Sequence, residues 1–271
     1  MIIPSSAPGS KPSLTDSGTA ETRGFSFLAS NADFLGYMSP VVTAVMVDAG
    51  FFVKRSRALF GPLSPEAAAR KLHRTALDHL HDARGRRAAR LYRIFVYDAP
   101  PAAWIGHTPI TRRAIELAET PVAKWRRDFH RTLKGLRKVA LRLGEVPIAH
   151  AHWQLHLQTL KALLNGKRQW SELSDDDFKL DLRQKGVDMR LGLDIASLAY
   201  KRLVSQIVLV SGDADFVPAA KLARREGIDF VLDPMWATIR ADLYEHIDGL
   251  RSVCPRPGKR PTDSDTQADA A

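Results

Sequence analysis

The stretch Ile207-Val208-Leu209-Val210-Ser211-Gly212-Asp213-Ala214-Asp215-Phe216 decides the fold. An unbroken apolar run that stops at a small-residue turn reads as a buried parallel strand, because a strand covered on both faces has no reason to alternate. Two carboxylates follow at its C-terminal end, the edge where open α/β sheets bind ligands. An earlier run, Val41 to Val47, ends the same way, in Asp48-Ala49-Gly50. Acids gathered at one sheet edge repel one another and ordinarily need a cation between them. The pattern points to a metal site.

Working outward, strands and helices alternate. Ser64 is an N-cap and Pro65 the first residue of a helix whose apolar stripe is Leu72, Ala76 and Leu80. Leu91–Tyr97 reads as a strand, stopped by Asp98-Ala99-Pro100-Pro101. A helix from Asp188 to Leu203 leads into Ile207–Val210. The helix Phe216–Arg225 follows, closed by Gly227, then the strand Ile228–Leu232 and a last helix over Trp236–Ile247. This order predicts an α/β fold, a Rossmann-like parallel sheet flanked by helices. Residues 1–38 and 254–271 carry no sustained period and read as disordered tails around one domain, 39–253. Within it, 102–175 reads as a basic, mostly helical insertion with a short extended piece near Val146–Leu155. Met38 stands just before the first strand, and the hypothesis that translation starts there is testable by intact mass of the native protein.

The 271 residues are 45% hydrophobic, with no apolar run long enough for a membrane span. The N-terminus lacks a basic-then-apolar leader pattern, and the single Cys254 excludes an internal disulfide and a cysteine-rich zinc site. The expectation is a cytoplasmic protein without a membrane partner. The formal charge is +10. Most of the excess lies between Ala102 and Trp170, where 13 Lys/Arg stand against 4 Asp/Glu. A basic segment beside an acidic site is what metal-dependent cleavage of a polyanion needs.

Each acid has a plainer reading. Asp215 can cap the next helix, Asp213 and Asp98 can form turns, and Asp48-Ala49-Gly50 can be an ordinary strand-to-helix connection. Turn formers have no reason to collect at one edge, which favours the joint reading. A further acid sits in Lys185-Gly186-Val187-Asp188, at a helix start where the dipole favours negative charge. Asp194, six residues on, points about 120° away with about 9 Å of rise, so the two do not readily share one ion. Asp188 takes the metal side and Asp194 a supporting role.

Val45-Met46-Val47-Asp48, Lys185-Gly186-Val187-Asp188 with Asp194, and Ser211-Gly212-Asp213-Ala214-Asp215-Phe216 resemble the three signatures of the NYN domain, a group of the PIN-like nucleases. The resemblance spans roughly Val41 to Leu232, broken by the basic insertion. It implies a PIN-like fold and Mg²⁺- or Mn²⁺-dependent ribonuclease activity, with Asp48, Asp188, Asp213 and Asp215 as metal and catalytic residues. Ser211 becomes a turn or supporting group. It also implies RNA as the partner, and homodimers are common among such nucleases. One departure stands out. Many members carry an Asn shortly after the first Asp, where this chain has Gly50-Phe51-Phe52.

The segment Val122–Leu143 reads as one two-faced helix. Trp125, Phe129, Leu136, Ala140 and Leu143 form its core stripe. Lys124, Arg127, Arg131, Lys134, Lys138 and Arg142 form a cationic face with little acidic pairing, suited to RNA phosphates. His152-x-x-x-His156 has metal-binding spacing on a helix, although surface or core histidines suit it better. Two rivals stand beside the nuclease. A phosphatase using Asp-x-Asp is disfavoured because Gly50 stands two after Asp48. A non-catalytic RNA-binding or regulatory protein keeps the fold and the basic face without turnover.

Overall fold

The computed structural model describes residues 40–257. The expected tail 1–38, Met38 with it, and residues 258–271 of the expected tail 254–271 lie outside the described residues. Six parallel strands form the main sheet: β1 (Val41–Asp48), β2 (Ala89–Asp98), β5 (Val139–Leu143), β8 (Gln206–Val210), β9 (Asp229–Asp233) and β10 (Gly249–Leu250). Their order is β10-β9-β8-β1-β2-β5, every neighbouring pair being parallel. The expected α/β architecture, a parallel sheet flanked by helices, is therefore present.

Period-two alternation divides each central strand between two cores. Ala44 and Met46 of β1, Phe95 and Tyr97 of β2, and Ile207 and Leu209 of β8 face one side. They pack there against α5 (Val187–Tyr200), α6 (Val217–Arg225) and the short α7 (Ala241–Tyr244). Val45, Val47, Ile94, Val96, Val208 and Val210 face the other. Their cover is α1 (Ala49–Phe60), α2 (Pro65–Asp78) and α3 (Pro121–Gly135). Leu191 and Ile195, one turn apart on α5, are fully buried, each contributing about 1.5–3 kcal/mol.

Several sequence expectations need correction. A helix, α1, begins directly at Ala49, where only a turn was expected. The Asp48 carboxylate caps it by accepting from the Phe51 N–H at 3.0 Å, and Gly61 at φ 79° ends it. Residues 102–175 are not mostly helical. They carry the hairpin of β3 (Ile105–His107) and β4 (Ala114–Glu116), then α3, β5, β6 (His152–Leu155) and α4 (Leu157–Leu164). β6 pairs antiparallel with β7 (Phe178–Asp181), so His152 lies on a strand and the His152–His156 helical pair does not exist.

The predicted helix Val122–Leu143 stops at Gly135. Lys138 adopts φ 61°, and the chain turns into β5 against the edge of β2. Val139 and Leu141 pack on one core and Ala140 on the other, the alternation of a strand. The last helix shrinks to Ala241–Tyr244, and a short strand, β10, follows beyond its expected end. The domain also runs past residue 253. Cys254 is buried, its carbonyl accepting from the Trp236 indole at 2.8 Å. Burial, then Asp233, pushes its thiol up to about 11.

Candidate active site

Three chain segments bring acids to the C-terminal edge of the central strands. Asp48 closes β1, and the Ser211–Asp215 turn leaves β8, hydrogen-bonded beside β1. Gly186, at φ 78°, opens α5 in a left-handed conformation that places Asp188 in its first turn. Two close approaches fix these segments. A Cβ on Gly212 would lie 2.7 Å from Phe51 Cε2, so the ring from the first turn of α1 rests on the β8 turn. A Cβ on Gly144 would lie 2.6 Å from the Lys185 carbonyl and from Val187 Cγ2. Glu145 and Lys185 exchange backbone hydrogen bonds of 2.9 and 2.8 Å there, tying the end of β5 to the start of α5.

The acids sense one another. Burial chiefly, opposed by the Phe51 N–H, and then Asp188 hold the Asp48 carboxyl above its ordinary range. Burial, then Asp213, then Asp215 do the same to Asp188. Asp213 accepts from the Asp215 N–H at 3.0 Å through Oδ1, and its own N–H donates to Ser211 Oγ at 3.2 Å. Capping therefore occupies one oxygen each of Asp48 and Asp213. The carboxylates of Asp188 and Asp215 have no hydrogen bond or ion pair among the described residues. Among those residues no three His, Cys, Asp or Glu side chains converge tightly enough to hold an ion as they stand. The donor set still suits a hard cation. It consists of carboxylate oxygens without thiol or imidazole, and adding positive charge relieves the repulsion that adds to burial in raising Asp48 and Asp188.

The remaining expected residues have other partners. The Asp194 Oδ2 accepts from the Tyr97 hydroxyl at 2.9 Å and from Arg142 Nε at 3.0 Å. Burial and Asp194 push the Tyr97 phenol far up, so it stays a donor. Asp98 is buried, and its Oδ2 receives Arg126 and His130, each at 2.7 Å. The sequence reading missed both partners, although Arg126 and His130 stand four apart on one face of α3. It also missed Asp233 at the end of β9, which bonds the buried His79 at 2.9 Å.

The cationic face is smaller and better paired than expected. Lys138 and Arg142 lie off α3. The Lys138 ammonium donates to the Leu91 carbonyl, and Arg142 pairs with Asp194. On α3, Lys124 meets Glu119 at 3.0 Å and Arg131 meets Asp128 at 2.6 Å. Arg127 donates to the Ala118 carbonyl and lies 3.9 Å from Glu119. Among the described residues only Lys134 of this group has no polar partner. Exposed pairs of this kind contribute about 0–1 kcal/mol and exchange readily for phosphate. No described helix is long and apolar enough to cross a membrane.

The family model for the NYN domain matches residues 117–242. The match contains α3, the Lys185–Asp188 element and the Ser211–Phe216 turn, and begins after Asp48. No curated protein matches the sequence significantly. A crystal structure of a protein of unknown function from Vibrio parahaemolyticus shares 14% identity, with a TM-score of 0.42, covering 79% of this chain and 94% of that one.

Proposed function

We propose that this chain, which carries an NYN domain of the nuclease-like kind, is a metal-dependent ribonuclease. The observation that carries the reading is the grouping of Asp48, Asp188, Asp213 and Asp215 at one sheet edge, two of them unpaired and the others each with an oxygen to spare. These four would hold Mg²⁺ or Mn²⁺. When bound, such a cation neutralises phosphate charge and lowers the pKa of water at neutral pH. The chain's own residues do the rest. Asp48 and Asp213 are held rigidly by the N–H groups they cap, and Asp188 by the glycine-started turn of α5. Asp215, free and exposed, is placed to orient water or accept its proton. Lys124, Arg127, Arg131 and Lys134 on α3 supply sequence-independent contacts to the RNA backbone.

The test uses 5′-labelled single-stranded RNA with Mn²⁺ or EDTA, beside Asp213→Asn. Asn keeps the cap but loses the charge. Cleavage that needs Mn²⁺ and vanishes in the variant supports the reading, and the product ladder gives endo- or exonucleolytic polarity. A second reading, RNA binding without turnover, draws on Gly50-Phe51-Phe52. Phe51 fills the space between two acidic segments with a hydrocarbon ring. Equal inertness of wild type and Asp213→Asn, both still binding RNA, selects that reading.

A further inference from the structure

We infer that the cavity between α1 and α3 is a nucleotide pocket, taking one base of a bound RNA strand with a flanking phosphate on Arg57 and Arg126. The inference rests on reading the chain as an RNA-processing protein. The cavity encloses about 360 Å³, within the range of small-ligand sites. Its apolar walls are Val53, Leu63, Ala68, Val122 and Trp125.

Three observations choose the occupant. The first is Ser56. The residue lines the cavity from α1 and is buried, and its enclosed hydroxyl finds no hydrogen-bond partner. A buried hydroxyl left unpaired is destabilising and calls for an explanation. Being both donor and acceptor, it can serve either kind of atom on a base edge. The second is Trp125. Its indole N–H is spent on the Leu63 carbonyl at 3.0 Å, and its ring stacks on Phe129 with centroids 5.2 Å apart. The ring is thus fixed before any ligand arrives, and a fixed aromatic face is what base stacking uses. The third is charge. Among the described residues no acid lines the cavity, whereas two guanidiniums do. Arg57 is exposed and forms no ion pair among the described residues. Arg126 commits one nitrogen to Asp98 and keeps its other donors. An apolar peptide would fill the walls but would leave both guanidiniums and the Ser56 hydroxyl unexplained.

The position fits a substrate that also reaches the acids. α1 starts at its cap Asp48, and Ser56 lies eight residues on, about 12 Å along the axis. Arg126 is tied to Asp98, at the end of the strand hydrogen-bonded to β1. A strand with its scissile phosphate at the acidic edge would present a neighbouring nucleotide here.

The experiment follows the five tryptophan indole N–H resonances in ¹⁵N-labelled protein, with Trp125 assigned by Trp125→Phe. The four nucleoside 5′-monophosphates and a trinucleotide are titrated in EDTA. The expected result is a saturable shift of the Trp125 resonance. Ser56→Ala should weaken binding about three- to tenfold, the worth of one hydrogen bond. Val122→Trp, a change at a position 76% exposed, blocks the mouth without crowding the core and should abolish the shift. No saturable shift at millimolar nucleotide, or equal binding in a folded Val122→Trp, overturns the inference. Absent binding beside intact Mn²⁺-dependent cleavage removes the pocket and leaves the ribonuclease reading. Binding that Val122→Trp removes, in a protein that cleaves nothing, keeps the pocket and removes that reading.

Discussion

Gly144→Ala should damage this protein far more than a single methyl suggests. The added Cβ would stand 2.6 Å from both the Lys185 carbonyl oxygen and Val187 Cγ2, and 3.2 Å from the Val187 nitrogen. Comfortable C···O contacts begin near ~3.3 Å, so about 0.7 Å must be recovered. Neither neighbour yields cheaply. The Lys185 carbonyl is held by the Glu145 N–H at 2.9 Å, and Val187 is a buried, β-branched residue in the first turn of α5. Relief means tilting α5 or parting the Glu145–Lys185 pair, whose two hydrogen bonds net about 0.5–1.5 kcal/mol each. Together with ordinary overpacking, the cost is about 2–3 kcal/mol. For a domain of this size that lowers Tm by about 4–12 °C. Asp188 follows Val187 directly, so a shift near 1 Å should also cost about a hundredfold in Mn²⁺-dependent cleavage. Gly192→Ala is the control. Gly192 lies inside the same helix with nothing within 4 Å of a Cβ, so the change should stabilise by about 0.5–1 kcal/mol. Urea titrations of both variants check the pair. A loss under about 0.5 kcal/mol in Gly144→Ala, with wild-type cleavage, would refute the steric argument.

Asp48→Asn should stabilise the metal-free protein at neutral pH. Burial, and then Asp188, raise the folded carboxyl above its ordinary 3.8. The stability it confers is thus full below 3.8 and lost as pH rises through the raised value. Asn keeps the α1 cap without that loss, a gain of about 0.5–2 kcal/mol. Tm against pH in EDTA reads it, and an unchanged slope sinks the idea. Asp98→Ala strands buried His130 and partly buried Arg126, so it should cost about 3–5 kcal/mol; a loss below about 1 kcal/mol by urea titration counts against the cluster as a structural clamp. Reversing Arg127, Arg131 and Lys134 to Glu should flatten the salt dependence of single-stranded RNA binding by about 0.7 for each phosphate no longer neutralised. An unchanged slope with intact circular dichroism takes α3 out of the substrate path.

How far the sequence carries depends on the range of the interaction being read. β8 is legible because a strand buried on both faces must be apolar throughout, and its end is legible because Ser211-Gly212-Asp213 cannot extend it. The join between α3 and β5 is illegible for a local reason. Leu136, Ala140 and Leu143 keep helical spacing, while Val139, Ala140 and Leu141 also satisfy the two faces of a strand. Only the unfilled edge of β2 decides between them, and that edge is 45 residues away in the chain (Ile94 against Val139). The partners of Asp98 are hidden for the same reason. Its carboxylate could be seen at a strand end, but the side chains that claim it come from a helix 28 and 32 residues on.

The departure at Gly50-Phe51-Phe52 acquires a physical meaning once Gly212 is set beside it. A side chain at 212 would collide with the Phe51 ring, so the glycine of the Ser-Gly-Asp turn and the phenylalanine after Asp48 are one fitted contact. Phe52, next in line, is fully buried in the core on the α1 side. The first turn of α1 thus gives one aromatic to the core and one to the acidic edge. The contact holds Asp48 and Asp213 on adjoining strands by packing, which costs the carboxylates none of their oxygens. A polar side chain in that place would compete for those oxygens or bind the ion itself. The departure therefore sets a packing contact between two segments whose charges repel, and in the proposed ribonuclease it would leave a cation to the four aspartates alone.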